Sequence, residues 1–96
     1  MRPPSESVVD RFLRYVRINT ESREGAESVP STAGQWDLIR LLERELRDLG
    51  AVDIHVSEHG MLRARVPSTV ARDVPCVGLL VHVATSPAVS GANVTP

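Results

Sequence analysis

The chain has 96 residues, 42% of them hydrophobic and 24% charged, a balance that suits one small soluble core and argues against a disordered or fibrous chain. Eleven basic and twelve acidic residues are spread along it for a formal charge of -1, which leaves no electrostatic footprint for nucleic acid or an anionic membrane. A single cysteine, Cys76, excludes an internal disulfide, and the opening MRPPSESVV lacks the apolar stretch of a secretory signal, so the expected address is cytoplasmic.

Ser7 to about Arg17 reads as an amphipathic helix. Val9, Phe12, Leu13 and Val16 recur at helical spacing, Arg11, Arg14 and Arg17 lie off that stripe, and Ser7 is the expected N-cap with Asp10 in the first turn. Asn19 to Ser31, NTESREGAESVPS, is polar, contains Gly25 and Pro30 and has no sustained period. It is expected to be a loop, either an exposed connector or part of a site.

A second helix is expected to open at Thr32, with Gln35 at capping-box spacing, and to close at Gly50. Its apolar stripe is Leu38, Ile39, Leu42, Leu46 and Leu49, and Glu43 and Arg47 sit four apart on the outer face. Val52, Ile54 and Val56 then alternate with polar residues, Glu58-His59-Gly60 supplies a turn, and Leu62, Ala64 and Val66 alternate with Arg63 and Arg65. This pattern predicts a hairpin with one face inward, leaving His55 and His59 in solvent.

After the loop PSTVARDVP, Cys76 to Val83 is almost continuously apolar, the pattern of a strand covered on both faces, with Cys76 as a small buried hydrophobe. The run VPCVGLLVHVA is about half the length that spans a bilayer. His82 interrupts it near its carboxyl end, where α/β sheets place their sites. Taken alone, His82 reads either as a satisfied core histidine or as a metal ligand, since no second ligand stands at helical or strand spacing.

Several blocks together carry a resemblance. RFLRYV (Arg11 to Val16) followed by Thr20 and Ser22, VPSTAGQW (Val29 to Trp36), LLERELRDLG (Leu41 to Gly50) and HVATSPAVSGANVTP (His82 to Pro96) resemble successive parts of the amino-terminal region of the peptidase T family of zinc tripeptide aminopeptidases. The resemblance implies that His82 occupies a zinc-ligand position. Ala84 then stands where the family has an aspartate that orients the histidine, so no catalytic residue is expected here.

The resemblance further implies an α/β fold made of two helices, a hairpin and one buried strand belonging to a larger mixed sheet. Residues 1–96 are expected to be a single truncated amino-terminal segment of the catalytic domain. Zinc and small peptides, tripeptides above all, would be the cofactor and substrates of the parent enzyme. The chain itself is expected to be inactive and to hold no zinc, with self-association through exposed apolar surface as its foreseeable behaviour. The competing expectation is a small non-catalytic interaction module derived from a peptidase.

Overall fold

The computed structural model describes residues 4–88 and 90–93. Its elements are helix α1 (Val8–Val16), helix α2 (Ala33–Asp48) and strands β1 (Val52–Val56) and β2 (Leu62–Arg65), the strands forming a two-stranded antiparallel sheet. The expected α/β composition of two helices and a hairpin is therefore present.

Ser7 is extended, and its hydroxyl accepts from the backbone N–H of Asp10 at 3.1 Å, the N-cap the sequence predicts. The apolar stripe of α1 is left largely in solvent, with Val9 60% and Phe12 57% exposed and no residue of the helix buried. Charge fastens the helix instead. The Glu45 carboxylate of α2 accepts from Arg11 at 3.4 Å and also from Arg14 and the Tyr15 hydroxyl, while Arg14 reaches Glu6 at 2.6 Å. The hydrogen bonds from Arg14 hold the Glu6 carboxyl below its ordinary range, and burial, aided by the bond to Glu45, raises the Tyr15 phenol.

Helix α2 ends as its sequence predicts. Gly50 takes φ 86, its N–H donates to the Arg47 carbonyl at 3.1 Å, and the Ala51 N–H donates to the Leu46 carbonyl at 3.0 Å, so a Schellman pair satisfies two of the last free carbonyls. Glu43 pairs with Arg47 at 3.5 Å and with Arg40 at 3.0 Å. The inner face carries Leu38 and Ile39, which with Ala51 form the buried apolar core among the described residues. That face lies against both strands.

In the hairpin Val52, Ile54, Val56, Leu62 and Ala64 are half-buried and their neighbours exposed, the alternation expected for one inward face. Val66 falls outside β2 and is exposed. Val52 pairs with Arg65 and His55 with Arg63, so β1 carries one extra residue. Asp53 absorbs the bulge at φ 53, and its carboxylate accepts from Arg65 at 2.7 Å across the pair.

The expected buried strand from Cys76 to Val83 is not formed. Those residues carry no strand assignment and are exposed or nearly so; Leu79 is 89% and Leu80 101% exposed, and Cys76 is exposed rather than buried. The physical reason is the want of a neighbour. A strand is held by ladder bonds to an adjacent strand, and among the described residues no backbone hydrogen bond outside the helices and strands involves residues 74–83. The apolar pattern states a preference for burial that this set of elements does not meet.

Candidate functional site

Backbone pairing resumes just after that exposed stretch. Glu21 and Thr85 form an isolated parallel bridge, in which the Thr85 N–H donates to the Thr20 carbonyl at 3.0 Å and the Ser22 N–H donates to the Thr85 carbonyl at 2.9 Å. The backbone N–H of Gly91 also donates to the Glu21 carboxylate. A polar loop between two helices and a segment more than sixty residues later are thus joined.

The start of α2 braces this junction. Thr32 is extended at the N-cap position, yet its hydroxyl does not cap the helix; it donates to the Glu21 carbonyl at 2.7 Å. Gln35 does not complete a capping box either. Its side-chain amide is buried and shares its hydrogens among the Thr20 carbonyl at 3.3 Å, the Glu21 carbonyl at 3.4 Å and the Ser31 hydroxyl at 3.4 Å. Burial decides between the two uses, because loop carbonyls turned inward from water need donors and Gln35 is in reach.

Close approach of backbone to backbone completes the junction. A Cβ on Gly34 would lie 1.8 Å from the Asn19 carbonyl oxygen, so the loop fits against α2 only because residue 34 has no side chain. The Asn19 side chain accepts from the Glu21 N–H at 3.1 Å, which folds the loop back on itself. An open cleft, lined by Asn19, Glu21, Ser22, Thr32, Asp37 and Pro87 among others, lies along this junction.

His82 stands three residues before Thr85 and is exposed, with Nδ1 3.1 Å from the carbonyl oxygen of Ala84. Ala84 is half-buried and offers a methyl group and a main-chain acceptor. His55 and His59 lie exposed on the hairpin, His59 with Nε2 3.5 Å from Glu58. Among the described residues, no three His, Cys, Asp or Glu side chains are placed to hold one metal ion. A zinc site takes three or four protein donors, so the described residues do not by themselves fit that ion.

The structure therefore gathers the blocks around Thr20, Thr32 to Gln35, Thr85 and Gly91, and it leaves the segment that carries His82 outside the core. The sequence singles out Thr20 and Gln35, but not Glu21 and not the contacts by which the three knit the junction. The available signal was a glutamine at the third position of a helix facing a long polar loop, which the capping box also explains.

Comparison with known proteins finds relatives for the sequence that forms this junction. The chain is similar to part of peptidase T: it is 48% identical over 91 residues to Peptidase T of Salmonella arizonae and 47% identical over 91 residues to Peptidase T of Salmonella newport. Those residues are 95% of this chain, which spans 22% of the length of these relatives. No protein-family model matches it. No helix among the described residues is long and apolar enough to cross a membrane.

Proposed function

We propose that this chain is the His82-bearing segment of a peptidase T-like zinc aminopeptidase, and that residues 1–96 on their own hydrolyse no peptide. The observation that carries the first half is the 47–48% identity sustained over 95% of the chain. What supports the second half is that, among the described residues, no group of three His, Cys, Asp or Glu side chains is placed to hold a metal ion, and that residue 84 has no carboxylate.

In the whole enzyme this segment would serve release of the amino-terminal residue from tripeptides, and bound zinc would supply Lewis-acid activation of water there. His82 would be one ligand, and the setting would be the cytoplasm. Within this chain the residues do less. His82 holds its ring against the Ala84 carbonyl, and the 20–22 junction anchors the backbone that follows it.

Val77, Leu79, Leu80 and Val81 are 81–101% exposed, and burial of each such side chain is worth roughly 1.5–3 kcal/mol. The same patch supports self-association through apolar surface; a truncated segment leaves it uncovered, whereas a small interaction module would use it for a partner.

Equilibrium dialysis against zinc at neutral pH tests the silent reading. No zinc is expected to remain after extensive washing, since one imidazole binds too weakly to retain it. One tightly held zinc per chain, lost in His82→Ala, would show that the 96 residues complete a site and would overturn the proposal.

A further inference from the structure

We propose that Gln35 is the positioning residue for the His82 imidazole, acting through Thr20 and the peptide plane that joins Ala84 to Thr85. Both ends of that plane are engaged. Its N–H, on Thr85, donates to the Thr20 carbonyl at 3.0 Å, and its C=O, on Ala84, lies 3.1 Å from Nδ1 of His82. A peptide unit is planar and its two polar groups turn together, so whatever fixes the Thr85 N–H also fixes the acceptor that faces the imidazole.

Thr20 is itself held in place. It is 4% exposed, and its carbonyl takes a second hydrogen bond, from Gln35 Nε2 at 3.3 Å. Gln35 is 5% exposed and also donates to the carbonyl of Glu21, the residue bridged to Thr85. On the far side the Ser22 N–H donates to the Thr85 carbonyl at 2.9 Å. Swivelling the Ala84–Thr85 plane would therefore break a bond to Thr20 whose acceptor Gln35 pins from inside the fold.

The chemical consequence lies in the ring. A carbonyl oxygen only accepts, so the contact with Ala84 requires the proton on Nδ1 and leaves the lone pair on Nε2. A main-chain carbonyl thereby does for His82 what a carboxylate at residue 84 would do by the family resemblance. The ring is exposed, and its free nitrogen is a fixed acceptor for a ligand or a proton. The inference rests on the peptidase reading only for the importance given to His82; the tautomer is a property of this chain with or without metal.

Two-bond proton–nitrogen NMR spectra of the full chain, recorded in alkaline buffer where an imidazole is neutral, test it, with His55 and His59 as references in the same spectrum. His82 is expected to show the Nδ1–H tautomer as its major form, and His59, with Nε2 beside Glu58, is expected to differ. Gln35→Glu keeps the size of the side chain but removes the donor. His82 should then lose its Nδ1–H preference while the amides of α2 and the hairpin keep their exchange protection, a pattern that general loss of structure would not give.

Gln35→Met removes the donor without adding a buried charge, and the same loss is expected if the glutamate variant does not fold. An Nε2–H majority in the unsubstituted chain, or an unchanged tautomer in a folded Gln35 variant, overturns the proposal. So does unprotected exchange of the Thr85 amide in the unsubstituted chain. Zinc retention by the chain would overturn the silent reading above without touching this one.

Discussion

Gly34→Ala is expected to destabilise the chain and to separate the 20–22 loop from residue 85. The added Cβ would fall 1.8 Å from the Asn19 carbonyl oxygen and 3.0 Å from its carbon, and both are backbone atoms that no rotamer change can move. Helix propensity acts in the opposite direction, since alanine gains about 1 kcal/mol over glycine within a helix. Overpacking costs about 1–3 kcal/mol where side chains can adjust, and more where backbone must shift, so the clash wins. Urea denaturation should show a net loss, and amide exchange should show Ser22 and Thr85 unprotected, since their bonds require the loop to lie against α2. A variant as stable as its parent, with both amides still protected, would mean that the loop does not sit where the structure places it.

Ile39→Ala is expected to have the largest effect of any single truncation. Ile39 is 3% exposed and shares the buried apolar core with Leu38 and Ala51. Its Cδ1 reaches the hairpin turn, 3.2 Å from where a Cβ on Gly60 would stand. Truncating a buried isoleucine removes about 2–5 kcal/mol, the spread depending on how far the surroundings collapse into the gap. A domain of ordinary size has about 5–15 kcal/mol in total, and a chain with so few buried residues stands at the low end. Cooperative thermal unfolding, followed by circular dichroism, should therefore be abolished or moved to much lower temperature. A shift equivalent to about 0.5 kcal/mol, the size of an exposed substitution, would show that the core lies elsewhere.

The parts of the fold that the sequence discloses are those whose cause is local. Ser7 caps α1, Gly50 ends α2 and the alternation around Ile54 and Ala64 makes a hairpin, each through residues a few positions apart. The bulge at Asp53 was not legible, because a single positive φ in an otherwise regular alternation depends on the partner strand.

The Cys76 to Val83 segment fails for the complementary reason. Its composition records a demand for covering layers, and whether a layer exists is not written in the segment itself. At the candidate site the blocks around Thr20, Gln35 and Thr85 stand out by resemblance, yet their contact does not. The bonds that join them run between residues fifteen to more than sixty positions apart, and they use main-chain groups that every residue possesses.

The want of further metal donors beside His82 among the described residues, more than the methyl group at residue 84, limits what this chain can do. Release of the amino-terminal residue from a tripeptide by Ala84→Asp, with zinc or cobalt supplied, tests that most directly. A carboxylate that orients a metal-binding histidine contributes about 10- to 100-fold in affinity or activity, but a multiplier needs a site to act on. With no group of metal donors among the described residues, the predicted result is no metal-dependent release from either the parent chain or the variant. Metal-dependent release by Ala84→Asp, abolished again by His82→Ala, would contradict the account and show that these 96 residues, or two copies of them, supply the missing groups.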